Sequence, residues 1–267
     1  MKTFAFLYAF FVIASPDVKS QTAGQSSQPL PTIRCEGDYR HHLQGVCFDS
    51  KGDIYWSFTT ALVKTDSTGK KIKQVEVVYH HGDLCYVGDR IYIAVNLGPF
   101  NHPDGKADSW VYVYDRDLKF LSKHRTPEVI YGAGGMDSDR GRFFVIGGLP
   151  ESHQQNYVYE YDREFKFIKR HEISSGQTRL GIQAAALIDN QWWFGCYGSP
   201  RETLRTDANF KMLDRYEFDC AYGIAADPAG RIYTATGPPS DTSDKRWLGA
   251  LHLTKKDSKL RLKRKTK

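Results

Sequence analysis

From about residue 43 the chain falls into short apolar runs that stop at tight polar turns and resume. GVCFDSKGDIYWS, from Gly45, is an apolar stretch, then Asp-x-x-Gly, one residue and Ile-Tyr; GIAADPAGRIYTA, from Gly223, has the same frame. Between them lie DLCYVGDRIYIA (from Asp83), GGMDSDRGRFFVI (from Gly134) and QAAALIDNQWWFG (from Gln183). Each predicts a short buried strand, a turn, and a second strand rich in aromatic and β-branched residues. A second hairpin follows: ALVKTDSTGKKIKQVEV, WVYVYDRDLKFLSKH, YVYEYDREFKFIKRH, TLRTDANFKMLDRYEF and, in the last unit, LGALHLTKKDSKLRLKR. These turn at an Asp-containing stretch and leave with alternating apolar residues. No helical periodicity appears after the first twenty residues.

Four strands recurring at roughly 40–50 residues is the pattern of β-propeller blades. A sandwich or solenoid is the alternative, and a common four-strand frame argues against both. The prediction is an all-β, five-bladed propeller of four-stranded antiparallel blades spanning residues 32–256, following a signal peptide. TIRCEG (32–37) is too short for a sixth blade and is expected to lend an outer strand to the last one, closing the ring.

The termini add to this picture. Lys2 followed by the apolar run Phe4–Ala14 has the proportions of a secretory signal, too short to span a bilayer. Val18-Lys19-Ser20 places cleavage after Ser20, with an uncleaved anchor as the alternative. Residues 21–31 (QTAGQSSQPLP) read as a flexible linker, and 257–267 as a basic tail. The expected location is extracellular or periplasmic, as a monomer with no transmembrane segment in the mature chain. The net charge of +6 is modest and concentrated in that tail, so no nucleic-acid role is expected. Five cysteines without metal-type spacing make neither a disulfide scaffold nor a zinc site.

In a propeller the short hairpin turns share one face, and the longer loops and blade-to-blade links share the other. The long segments are NLGPFNHPDGKADSW (96–110), GGLPESHQQN (147–156), GCYGSPRET (195–203) and TGPPSDTSDKRW (236–247). Function is carried on such loops. His41, His42, His80, His81, His102 and His153 fall on this face, and two adjacent pairs immediately precede innermost strands. One member of each pair, His42 and His81, is expected to face the channel, with Gln44 and Asp83 lining the same opening. Neutral imidazoles with an oxygen donor suit a divalent ion such as Mn²⁺, Ca²⁺ or Zn²⁺; the alternative is that the pairs pack between blades. Asn96, Asn101, His102, Tyr131, Gln183, Tyr197 and Trp247 are the remaining ligand-binding candidates. For catalysis, His81 or Tyr222 would remove a proton and Arg179 or a metal would neutralise a carboxylate. Tyr131-Gly-Ala-Gly-Gly lacks the strand-to-helix context of a phosphate loop, and no G-x-S-x-G elbow occurs. Of Trp192 and Trp193, one ring is expected in the core and the other at a ligand surface.

The frames Ala225–Tyr233 (AADPAGRIY) and Phe48–Tyr55 (FDSKGDIY) resemble the blades of NHL-type and gluconolactonase-like propellers over residues 45–254. That resemblance implies the fold. The gluconolactonase-like family holds its metal with a Glu, an Asn and an Asp, where the rim here has His, Gln and Gly. The His-plus-Gln rim is similar to secreted oligogalacturonate-type lyases, which bind Mn²⁺. The expected function is binding or processing of a carbohydrate or other small polar ligand at the channel mouth, as in a metal-assisted polysaccharide lyase. The alternatives are a non-catalytic glycan- or protein-binding propeller and a metal-dependent lactonase.

Overall fold

A computed structural model describes residues 32–241 and 244–264. The expected signal peptide and linker lie outside the described residues. The strands are β1 (Thr32–Arg34); β2 (Leu43–Phe48), β3 (Ile54–Phe58), β4 (Ala61–Thr65) and β5 (Lys71–Glu76); β6 (His81–Val87), β7 (Arg90–Asn96), β8 (Ser109–Asp115) and β9 (Phe120–Arg125); β10 (Ala133–Asp139), β11 (Arg142–Gly147), β12 (Asn156–Tyr161) and β13 (Phe167–Ile173); β14 (Arg179–Ile188), β15 (Gln191–Tyr197), β16 (Glu202–Asp207) and β17 (Met212–Glu217); β18 (Ile224–Ala226), β19 (Ile232–Thr236), β20 (Ala250–Lys256) and β21 (Leu262–Arg264). They form five antiparallel sheets, the blades of a five-bladed propeller, and none of the described residues is helical. The innermost strands β2, β6, β10, β14 and β18 pack around the axis.

One turn chemistry builds most of the hairpins. Asp49, Asp66, Asp115, Asp162, Asp207, Asp227 and Asp257 each accept, on Oδ1, the backbone N–H groups two and four residues on. A carboxylate taking both amides replaces the ladder bonds lost at the reversal. The residue three past the Asp sits in the left-handed region. Gly52, Gly69 and Gly230 fill it without strain, whereas Leu118, Phe165, Phe210 and Leu260 adopt it with side chains. Leu118, Phe165 and Phe210 bury those side chains in the inter-blade core, which offsets the backbone cost.

The core lies between blades rather than within one. Trp56, Phe58, Tyr39 and Tyr233 fill the seam between first and fifth blades; Phe144, Trp192, Phe194 and Phe210 fill that between third and fourth. Trp192 and Trp193 point to opposite faces of the fourth blade, and both are buried. The expectation that one lines a ligand surface therefore fails: both faces of a blade are covered by neighbours. All five cysteines are buried and unpaired.

The ring closes on a composite strand. β20 pairs with β1 over Ala250–His252 and with β21 over Thr254–Lys256. TIR thus supplies the expected outer strand. The chain beyond residue 256 is not a solvated tail throughout: the Asp257 turn leads into β21, whose Leu262 is buried.

Candidate functional site at the channel mouth

The histidine pairs do converge, through a different member of the second pair than expected. Gln44 Nε2 lies 3.0 Å from His42 Nε2, 2.9 Å from His80 Nε2 and 3.0 Å from Thr59 Oγ1. His80 is held by backbone bonds in both directions with Asn96, at 3.1 and 3.3 Å. His81 instead begins β6 inside the blade. Its Nδ1 meets the Val78 carbonyl at 2.8 Å and its Nε2 meets Tyr114 Oη at 3.0 Å. With both ring nitrogens engaged and the side chain fully buried, His81 is turned away from His42; consecutive residues of a strand point to opposite sides.

The amide of Gln44 has two hydrogens and three partners within bonding distance. Tyr197 Oη can serve His42 Nε2 in its place, and the group of the cluster left without a partner is the buried Nδ1 of His80. Burial pushes the His42 imidazole down to about 4, helped by the nearby His80, His41 and Arg201 charges; His80 is lowered as well, chiefly by burial. Both rings are neutral at physiological pH and can accept as well as donate.

Aromatic rings wall the cluster. The His42 ring lies 5.6 Å from that of Trp247 and 6.0 Å from that of Tyr222, and Tyr197 Oη is 3.4 Å from His42 Nε2. On the other side Phe100 stacks with His80 at 6.4 Å. Gly132, at φ +107°, makes room: a Cβ there would collide with the Phe100 ring. Behind the rings Arg201 donates to Tyr222 Oη at 2.7 Å and to both oxygens of Asp219 at 3.1 Å. Phe100 and Arg201 belong to the long loops, but neither Arg201 nor Thr59 was among the sequence candidates. Thr59 stands in a two-residue link that offers no signal, and Arg201 is one of many surface arginines until the fold places it.

The other candidates sit elsewhere. Asp83 is buried down the channel, where Oδ2 accepts the Ala185 N–H at 3.0 Å. Burial holds its carboxyl well above the usual range, opposed by the amides of Ala185, Leu84 and Val46. Gln183 donates to the Leu180 carbonyl at 2.7 Å and Asn96 to that of Gly98 at 2.7 Å, both as local braces. Asn101 Oδ1 is buried without a partner, His102 accepts from Asp104 N at 3.2 Å, and Tyr131 bonds His153 at 2.9 Å in a separate cluster. Arg179 is exposed at the start of β14, opposite Tyr197 in register. Among the described residues no group of three or more His, Cys, Asp or Glu could hold a metal ion. The expected His42–His81 metal pair is not assembled, because His81 is spent on Val78 and Tyr114.

No family model matches this chain, and no curated protein is similar to it in sequence. Solved structures are similar in fold. Glutaminyl cyclase of Myxococcus xanthus aligns with a TM-score of 0.55 at 13% identity, covering 85% of this chain and 99% of that one. The GH43 protein BlXynB of Bacillus licheniformis aligns at 0.59 and 12% identity, and Xyloglucan PUL GH43B of Bacteroides ovatus at 0.61 and 10%. The chain covers 87% and 88% of itself in those two alignments but only 56% of each GH43 chain. At such identities the likeness is one of fold: the chain is a β-propeller of the architecture these proteins share.

Proposed function

We propose that the protein binds a carbohydrate or other small polar ligand at the channel mouth, in the cluster His42–Gln44–His80. The observation that supports this reading most is the oversubscribed Gln44 amide between two neutral imidazoles, walled by Trp247, Tyr222, Tyr197 and Phe100. Hydroxyl groups both donate and accept, and so match this set; the faces of sugar rings match the aromatic walls. Structural neighbours named for GH43 are consistent with a sugar ligand, while the glutaminyl cyclase shows the scaffold serving other chemistry. Export, read from residues 1–20, belongs to the same proposal, as does the NHL-type kinship read from the blade frame.

Binding leads over lyase chemistry for a reason of basicity. A His held at about 4 is a weak acceptor for a carbon-bound proton at neutral pH. His42 beside Tyr197 and Tyr222 nevertheless provides acid/base groups at one point, which keeps the lyase as the second reading. Calorimetry of the purified domain against oligosaccharides, neutral and uronic, tests the first. Ultraviolet absorbance of an unsaturated product tests the second. Repeating both with Mn²⁺, Ca²⁺, Zn²⁺ and a chelator tests whether Gln44 and the two imidazoles take an ion. A wild-type protein that binds none of these sugars would sink the carbohydrate reading.

A further inference from the structure

A groove of about 630 Å³ opens beside the histidine cluster between the fourth and fifth blades, lined by Arg201, Asp219, Tyr222, Pro239, Trp247 and Arg264 among others. Tyr222 and Trp247 are shared with the mouth, since both rings lie against His42. The two openings are therefore adjoining compartments of one surface.

The groove is built firmly. Trp247 is fixed by paired backbone bonds with Tyr39, at 2.7 and 2.9 Å, and its neighbour Leu248 N donates to Pro238 O at 2.9 Å. Arg246 anchors the same loop to Asp38 at 2.6 Å. On the opposite wall the Arg201 guanidinium lies 4.3 Å from the centre of the Tyr222 ring. Arg264, carried by the closing strand β21, donates through Nε to Thr234 Oγ1 at 3.1 Å and through Nη2 to the Asp219 carbonyl at 2.5 Å.

The charges do not balance. Among the described residues lining the groove, two guanidinium groups face one carboxylate, Asp219; Arg201 takes both of its oxygens, while Arg264 donates only to the neutral carbonyls of Asp219 and Ala235 and to the Thr234 hydroxyl. His252, at the far end, adds no compensation: burial first, then Arg264 and Arg34, lower its pKa and leave it neutral at pH 7. A partly buried guanidinium with neutral oxygen partners lacks the charge-assisted bond that an anion would supply. Beside it stands an indole face suited to a ring.

We propose that this groove is a subsite for a carboxylate-bearing sugar unit, its acid group held by Arg264 with Arg201 and its ring against Trp247, while the adjoining unit occupies the His42–Gln44–His80 mouth. The inference rests on the carbohydrate reading of that mouth and narrows it to acidic chains such as oligomers of hexuronic acid. Such a ligand satisfies both compartments at once: hydroxyls meet neutral imidazoles and the carboxylate meets the unmatched positive charge.

The test is calorimetric titration with hexuronic-acid oligosaccharides and with the same oligosaccharides after reduction of their carboxyl groups. Wild-type protein is expected to prefer the acidic set by ~tenfold or more, a difference of ~1.4 kcal/mol. The Arg264→Gln variant should bring the two sets to about parity. Raising the salt should erode the preference in the wild-type protein without any substitution, which serves if the variant fails to fold. Equal binding of acidic and reduced oligosaccharides by wild type overturns the subsite and leaves the mouth reading intact. An acidic preference that survives both Arg264→Gln and Arg201→Gln places the acid elsewhere and also overturns it. No binding of either set removes both proposals together.

Discussion

The two halves of the central channel hold polar groups of opposite character. Near the mouth, His42, Gln44 and His80 bond chiefly to one another, from two blades. Further down, Asp83 accepts Ala185 N–H and Asp137 accepts Leu187 N–H at 2.7 Å, each pinning its own innermost strand to β14. Gly45 and Gly135 have no Cβ because Asp83 fills that space. Side chains that end on backbone amides hold blades together. Side chains that end on each other, with a bond to spare, are free to exchange a partner for a ligand. The same fold thus separates a structural plug from the rim proposed to take the ligand within one channel.

The largest effect should come from the plug. Asp83→Ala leaves the Ala185 amide buried without an acceptor, and a loss of about 1–3 kcal/mol in chemical denaturation is expected. Ligand affinity per folded molecule should hold. A variant of unchanged stability but impaired binding would reverse the assignment of the two halves.

The reverse holds for the rim. Replacing His42 and His80 together by Ala should weaken ligand binding by ~tenfold or more, with melting shifted by less than ~1 kcal/mol of stability, since each ring is partly exposed. A large melting loss would class the rim with the plug.

Protonation sharpens the contrast. Burial raises the Asp137 carboxyl to about 6, so the folded state binds its proton more tightly than the unfolded state. Its contribution is therefore intact at acid pH and is lost as pH rises towards 6. His42 and His81, lowered to about 4, act in the opposite sense: the unfolded chain takes their protons first, and stability falls as pH drops from 6.5 towards 4. Asp137→Asn removes its share of the opposing slope and leaves that of Asp83. Thermal melts from pH 4 to 7 should then fall more steeply with acid than wild type, the two curves meeting near pH 4. Identical curves would show that Asp137 does not titrate in this window.

The smallest effect is in binding itself. With His42 titrating at about 4 and His80 also held below the usual imidazole range by burial, affinity should hold from pH 8 through 6.5 and decline only at more acid pH. A midpoint near 6.5 would mean that the rim imidazoles are solvated, and the distinction between the halves would weaken.

Much of this was legible in the chain. The Asp-x-x-Gly-x-Ile-Tyr frame marks the first and last units, and the same Asp turn marks the outer hairpins, because that turn is local: one carboxylate, two amides and a left-handed residue specify it without tertiary help. The same logic marks Asp257-Ser-Lys-Leu-Arg as another such turn, although its charge makes the segment read as a tail. The convergence of His pairs followed from the geometry of innermost strands. Which member turns inward did not. That choice depends on where β6 begins, and Tyr114, 33 residues away, claims His81. Asp83 looked like a rim residue by spacing, yet the glycines of β2 and β10 let it sink between strands. Burial of this kind is set by neighbouring blades, and a linear pattern does not report it.

The composite strand of the last blade bears on how the molecule is made. Thr32 and His252 meet across 220 residues of chain, and β21 must still fold back onto the remaining half of β20. Four blades can each zip from hairpins of adjacent sequence, but the fifth cannot be completed until residues up to Arg264 are available. Loop-closure entropy of that span is met in one late step, so ring closure is expected to limit the folding rate. Until then the flank of β20 is an open strand edge, and a newly synthesised chain is most exposed to pairing with a second copy at that blade.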